Sequence, residues 1–237
     1  MNAATCLEPV TTRLDVEALQ RLLSATLGAG TGVACSGVDG DPQQLWPTER
    51  AAVGQAVPRR QKEFASGRIA ARQALSQIGC LPEAIPCAPD RSPIWPAGAT
   101  GSIAHNGRVC VAIATHQNRH QFMGLDLEDE SAMDPALWDT ICTPGELSSL
   151  SSLPPHERPS RVTRIFCAKE AFYKWQYPQT RRLLDFQDVA IELAPDASRF
   201  HARGTSQSIH PLPRCQQGGR FLSTQGLLLA WLIGAPA

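Results

Sequence analysis

The chain of 237 residues has no excess of charge of either sign, its 22 Lys and Arg being matched by 22 Asp and Glu. A balanced chain presents no overall field towards nucleic acid or an anionic membrane, so electrostatic recognition has to come from local clusters. Long apolar runs are missing too. The longest, GLLLAWLIGA from Gly226, is about half of the roughly 20 residues that span a bilayer, and it reads as a core strand. The first residues, MNAATCLEPV, lack the basic and then apolar pattern of a secretory leader, which makes a cytoplasmic protein the expectation. No Cys-x-x-Cys occurs, and no Cys/His pairing has zinc spacing. Cys6, Cys35, Cys80, Cys87, Cys110, Cys142, Cys167 and Cys215 therefore read as reduced, small apolar side chains. The 43% apolar and 19% charged content is that of a globular chain able to bury a core, as one large domain or two small ones.

The segment before Pro58 is sparse in signals apart from a helical stretch, LDVEALQRLLSATLG, that closes at Gly28 as a C-cap. In RRQKEFASGRIAARQALSQIG the positions Phe64, Arg68, Ala71, Leu75 and Ile78 form one stripe of a helix ending at Gly79. Arg68 is the odd member of that stripe. A guanidinium on an apolar face must be paired, ordinarily with a carboxylate of the fold, otherwise with an anionic ligand. The proline-rich LPEAIPCAPDRSPIWPAG is a loop of the kind that touches ligands. GSIAHNGRVCVAIATH reads as a β-hairpin turning at Asn106-Gly107, with His105 at the edge of the turn, where a histidine is ordinarily a surface residue.

In QFMGLDLEDE, alternation puts Met123, Leu125 and Leu127 on one face of a strand and Gly124, Asp126 and Glu128 on the other. Two carboxylates on one face repel, and stay ionised together only beside water or a cation. A solvated strand face and a hard, oxygen-ligated magnesium site both fit that pattern. After a Ser/Pro-rich connection, RVTRIFCAKEAFYKWQYP reads as a helix from Val162 that Pro178 stops. Glu170 and Lys174 stand one turn apart on it, which is the spacing of an ordinary surface ion pair. DVAIEL and RFLSTQGLLLAWLIG read as further strands. Helix and then strands occur twice, so the expected fold is α+β: two similar lobes related by pseudo-twofold symmetry, each a helix on a small, mostly antiparallel sheet.

GRIAARQAL, SPIWPAGATGSIAHNG, GLDLE and FCAKEAFYKW, in this order and spacing, resemble the 4′-phosphopantetheinyl transferase family. The larger, two-lobed members that serve siderophore, polyketide and nonribosomal peptide synthesis are the most similar. The resemblance runs from about Arg59 to Lys174. It implies an N-terminal lobe over residues 1–122, a C-terminal lobe over 123–237, and an active site at their junction. It further implies transfer of the phosphopantetheine arm of coenzyme A to a serine of an apo acyl or peptidyl carrier protein, with release of adenosine 3′,5′-bisphosphate. By the same resemblance Asp126, Glu128 and Glu170 hold a magnesium ion against the pyrophosphate, Glu170 is the candidate base, and Lys174 stabilises or protonates the leaving phosphate. Arg60, Arg68, Arg91, His105 and Lys174 are implied as coenzyme A contacts. For Arg68 the alternative of bracing the fold stays open.

Two departures stand out. Many members have serine where Ala104 stands in SIAH, which removes a hydroxyl that could bind a phosphate and costs on the order of 1 kcal/mol. Cys167 replaces a common serine, small for small. Glu146 in CTPGEL resembles an acidic position of the second lobe without a clear role. Carrier proteins are generally acidic, and Arg158, Arg161 and Arg164 offer a basic docking surface. One chain able to form the whole site favours a monomer. The competing readings are a magnesium-dependent nucleotide phosphohydrolase, for which a carrier would be dispensable, and an inactive relative that binds coenzyme A or carriers, which would lack metal ligands.

Overall fold

The computed structural model describes residues 14–205, 212 and 218–234. Cys6 and Cys215 lie outside these. Asp15 caps α1 (Val16–Leu27) by accepting the Ala18 N–H at 2.9 Å, and Gly28 ends the helix as expected. Then follow β1 (Thr31–Ser36), α2 (Pro47–Ala51), α3 (Pro58–Gln77), β2 (Ala99–His105), β3 (Cys110–His116) and β4 (Phe122–Asp129). The second half comprises α4 (Trp138–Ile141), α5 (Pro144–Ser151), α6 (Arg158–Thr180), β5 (Val189–Leu193), β6 (Arg199–Gly204), β7 (Gly219–Thr224) and β8 (Leu227–Gly234). The strands make two antiparallel sheets, ordered β1-β3-β2 and β4-β8-β7-β6-β5. The fold is α+β and two-lobed.

The repeat includes the strand before each long helix, which the sequence reading left out. In the first lobe β1 leads into α3 and pairs with β3; in the second β4 leads into α6 and pairs with β8. β5 and β6 extend the second sheet. Each long helix lies on its strand through a glycine: a Cβ on Gly32 would stand 1.9 Å from the Ala74 carbonyl oxygen, and one on Gly124 would stand 2.0 Å from that of Ala171. Each helix is also braced by a buried carboxylate from a short preceding helix. Glu49 accepts from Arg72 at 2.6 Å and from the Ile85 N–H at 2.8 Å. Glu146 accepts from Lys169 at 2.8 Å and from the Ile191 N–H at 2.7 Å. The acidic residue singled out in CTPGEL is thus half of a structural pair, and its partner Lys169 spends its other two protons on the carbonyls of Ile141 and Phe186. Losing either member would leave a buried charge unpaired.

The lobes share a core. Val33, Val111 and Ile113 of the first sheet pack with Leu125, Leu127, Leu229 and Trp231 of the second, under Leu19 and Leu23 of α1. At the seam the Leu125 N–H donates to the buried Ser102 hydroxyl at 3.0 Å, which fixes β4 beside β2.

Several local expectations need correction. α3 ends as expected, with Gly79 in the left-handed region at φ 80° and the Cys80 N–H reaching back to the Leu75 carbonyl. α6, in contrast, starts before Val162 and runs through Pro178 to Thr180, because a proline in the last turn removes one hydrogen bond without forcing termination. The β2–β3 turn centres on Gly107-Arg108, one residue later than expected: Asn106 and Val109 close it, and the Asn106 side chain accepts both the Arg108 and Val109 N–H groups. An Asx-type cap of this sort competes with the Asn-Gly hairpin geometry. β6 had no clear signal, since its outward faces are polar.

Gly124→Ala is expected to destabilise the protein by about 1–3 kcal/mol, because the methyl group collides with α6 backbone rather than with a movable side chain. A denaturant midpoint within error of wild type would contradict the close approach.

Candidate active site

A cavity of about 690 Å³ opens between α3, the loop around residues 88–95, β2 and the C-terminal half of α6. Arg60, Arg68, Arg91, His105 and Lys174, drawn from all four of these elements, line it. Arg60 donates to His105 Nε2 at 3.2 Å and lies 3.5 Å from Glu63. Burial first, then the Arg60 charge, lowers the His105 imidazole from its ordinary value, so this ring is neutral near pH 7. Arg91 sits on the proline-rich loop with a left-handed backbone at φ 69°.

Arg68 is 6% exposed and, among the described residues, forms no ion pair with a carboxylate within 4 Å, contrary to the ordinary expectation for its stripe. Its guanidinium donates to Cys87 Sγ at 3.1 Å and lies 4.3 Å from the Phe64 ring centroid, while its Nε is buried without a hydrogen-bond partner. Burial pulls its pKa down. An incompletely satisfied guanidinium on a cavity wall is arranged for an anion that arrives from outside.

The alternation of β4 places Asp126 and Glu128 on the face opposite Leu125 and Leu127, towards α6. Asp126 is 6% exposed. Its Oδ1 accepts from Lys174 Nζ at 2.7 Å, and the same ammonium donates to the Leu125 carbonyl at 3.0 Å. Lys174 is therefore paired across to β4, not along α6 to Glu170 as an ordinary surface pair. Burial would lower its pKa, but the charges of Asp126 and Glu170 outweigh that and raise it. The other Asp126 oxygen, Oδ2, is buried and meets no donor at hydrogen-bonding geometry among the described residues. Burial, then the neighbouring Asp126 charge, pushes Glu128 up to about 7 and raises Glu170 as well. Three carboxylates thus crowd one ammonium.

Such a cluster is short of positive charge, and the orphaned Asp126 oxygen has its lone pairs unused. Among the described residues no three His, Cys, Asp or Glu side chains already form a metal cage. Magnesium does not need one, since it binds through one or two carboxylates and completes its shell with water and phosphate. The donor set fits that ion. Glu170 also lines a second cavity of about 300 Å³ with Phe172, Leu184 and Phe186, and Tyr173 lines both cavities.

Other expectations fare differently. Ala104 is buried in the shared core at the edge of the cavity, and the hydroxyl of the neighbouring Ser102 is already committed to Leu125. Arg158 donates to the Leu153 and Ser151 carbonyls, and Arg164 binds Glu130 and the Ser223 hydroxyl. Both are thus hydrogen-bonded within the fold. Cys167 is fully buried, and burial followed by the Asp126 charge keeps it a thiol. Sequence reasoning passed over Asp90, Tyr177 and Arg181, which line the same cavity. Tyr177 had a signal, standing one turn beyond Tyr173 on the helix; Asp90 had none.

Residues 48–115 match the family model for the 4′-phosphopantetheinyl transferase N-terminal domain, and residues 122–219 match that for the 4′-phosphopantetheinyl transferase superfamily. The 4′-phosphopantetheinyl transferase Npt of Nocardia iowensis is 32% identical over 190 residues, 79% of this chain and 83% of that protein. PptT of Mycobacterium tuberculosis is 31% identical over 204 residues, 81% of this chain and 88% of its own length. Enterobactin synthase component D of Escherichia coli is 33% identical over 159 residues, 62% of this chain and 69% of its own.

Folded Glu128 keeps its proton to about pH 7, whereas the unfolded chain releases it near 4.5. Between those values the folded state holds more protons, so this group's contribution to stability falls as pH rises. His105, lowered in the fold, acts in the opposite direction. The difference between wild type and Glu128→Gln isolates the first effect. In chelator the variant should gain stability relative to wild type from pH 5 to pH 8; a constant difference in denaturant midpoint would contradict the crowding.

Proposed function

The chain belongs to the 4′-phosphopantetheinyl transferase family and is a transferase of that class, and from that premise we propose that it moves the phosphopantetheine arm of coenzyme A onto a serine of apo acyl or peptidyl carrier proteins. The observation that carries the reading is the buried Asp126 carboxylate, one oxygen of which has no donor among the described residues while the other holds Lys174, a residue that lines the same cavity as the arginines and the histidine.

In this reading Arg60, Arg68, Arg91 and His105 bind the phosphates of the nucleotide half. The orphaned Nε of Arg68 gains an acceptor, and a phosphate beside His105 favours protonation of its ring. Asp126, Glu128 and Glu170 would hold magnesium, which when bound would supply positive charge to offset that of the pyrophosphate and the leaving group. Glu170 accepts the proton of the serine hydroxyl. The serine oxygen forms its bond to the phosphorus of the phosphopantetheine arm as the pyrophosphate P–O bond breaks, and adenosine 3′,5′-bisphosphate leaves. Two Lys174 protons are committed to Asp126 and Leu125, and the third serves the leaving phosphate.

The lobe division falls after residue 122, with nucleotide contacts mostly before it and the acidic residues after it. Both cavity walls come from one chain, which supports a monomer. No helix among the described residues is long and apolar enough to cross a membrane. The name of one relative, enterobactin synthase component D, supports siderophore carriers among the acceptors, with polyketide, nonribosomal peptide and fatty acid carriers as the wider class.

Intact-mass analysis of an apo carrier protein incubated with coenzyme A and magnesium should show the gain of one phosphopantetheine arm. Asp126→Ala should abolish the gain, and Lys174→Ala should lower kcat by roughly 10²- to 10³-fold, the usual loss when a group stabilising transition-state charge is removed. Transfer that persists with Asp126→Ala would overturn the assignment.

A further inference from the structure

The proline-rich loop closes one side of the 690 Å³ cavity, and its tip rests on the opposite lobe. Its base is the isolated bridge between Cys87 and Pro93. Inside the turn, the Ala88 N–H donates to the Ser92 carbonyl at 2.9 Å and the Arg91 N–H to the Ala88 carbonyl at 2.8 Å. Asp90 divides its two oxygens between the lobes. Oδ1 accepts the Ser92 N–H at 2.9 Å and the Ser92 hydroxyl at 2.6 Å, which shapes the turn. Oδ2 accepts the Tyr177 hydroxyl at 2.7 Å and lies 3.4 Å from the Arg181 guanidinium, both at the end of α6.

The anchor on α6 is itself ordered by stacking. Tyr177 lies against Tyr173 with ring centroids 5.5 Å apart, and the Arg181 guanidinium stands 5.8 Å from the Tyr177 ring centroid. α6 ends at the left-handed Arg181, whose N–H returns to the Tyr177 carbonyl, so the two side chains stand at a defined helix end. The residue after Asp90 is Arg91, whose left-handed φ of 69° is a conformation that a non-glycine side chain takes up only where its surroundings impose it. The contact is exposed to solvent, so it adds little to global stability. Its effect is on where one guanidinium stands.

We propose that Asp90 and Tyr177 are positioning residues for coenzyme A, their hydrogen bond latching the loop across the cavity and presenting Arg91 to the nucleotide phosphates. The inference rests on Arg91 being a phosphate ligand, as read above. A guanidinium already held in place loses less freedom when the phosphate binds, so the latch improves affinity for coenzyme A without entering the chemical step. The acceptor serine and the acidic cluster are untouched by it.

The test is a double-mutant cycle read by calorimetric binding of coenzyme A and by steady-state transfer. Tyr177→Phe removes one hydroxyl from a half-buried ring and should raise both Kd and KM for coenzyme A by roughly threefold to tenfold, with kcat within about twofold and KM for the carrier unchanged. Asp90→Asn, which keeps the size of the side chain, should reproduce that pattern. In an Arg91→Ala background, Tyr177→Phe should have no further effect on coenzyme A affinity. Losses that multiply instead would overturn the latch while leaving Arg91 a ligand. Arg91→Ala with unchanged coenzyme A affinity would overturn the phosphate reading of Arg91 and the latch with it. A loss of kcat equal to the loss of kcat/KM in Tyr177→Phe would place the tyrosine in the chemical step and would also overturn the proposal.

Discussion

The arrangement at the lobe junction depends on how closely α6 approaches β4. With no side chain at Gly124, the helix backbone comes within a van der Waals contact of the strand, and Lys174, one turn beyond Ala171, reaches both the Leu125 carbonyl and the Asp126 carboxylate. A thicker residue would lift the helix and lengthen both bonds. The same approach desolvates the carboxylates: Asp126 is left with a buried oxygen that has no partner, and Glu128 with a pKa of about 7. Packing therefore creates an excess of negative charge of the kind that a divalent cation would relieve. The site is made by backbone contact first and by side-chain chemistry second.

The other lobe has the same scaffold without the chemistry. Gly32 lets Ala74 of α3 approach β1 as Gly124 lets Ala171 approach β4. The residue one turn beyond Ala74 is Gln77, and it binds the Val33 N–H and carbonyl, as Lys174 binds the Leu125 carbonyl. Following this register, Ala34 stands where Asp126 does, Ser36 where Glu128 does, and Gln73 where Glu170 does. A neutral amide that satisfies both backbone groups fixes the strand; a lysine leaves a carbonyl and a carboxylate on one ammonium. The buried Glu49–Arg72 and Glu146–Lys169 pairs are held in common, which marks them as part of the scaffold rather than of the site. Specialisation of one half leaves the other half free to contribute arginines and a histidine to the cavity.

Much of this could be read from the residues, for reasons that are local. The alternation in GLDLE, the stripe from Phe64 to Ile78 and the glycine cap at Gly79 are set within a few residues, and each has its counterpart in the fold. The resemblance carried by the motifs grouped Arg60, Arg68, Arg91, His105 and Lys174, which all line one cavity, a grouping that periodicity alone cannot deliver. What escaped the reading depends on contacts distant in sequence. Lys174 prefers Asp126, 48 positions away, to Glu170 one turn away, because β4 carries buried negative charge. Arg68 finds a thiol and an aromatic ring instead of a carboxylate. Asp90 and Tyr177 meet across 87 positions, and neither spacing nor composition relates them. Pro178 misled for the opposite reason: a strong local signal was overridden by the packing of the α6 end.

The central claim is that the crowded carboxylates form a magnesium site completed by the pyrophosphate of coenzyme A, and it is tested most directly by titrating magnesium into the protein calorimetrically at pH 7, with and without saturating coenzyme A. Linkage requires that each ligand strengthen the other by the same factor. The account predicts weak magnesium binding by the protein alone, binding at least about tenfold tighter with coenzyme A present than to either protein or coenzyme A alone, and proton release as Glu128 ionises. Equal magnesium affinity with and without coenzyme A, after correction for binding to free coenzyme A, would contradict it.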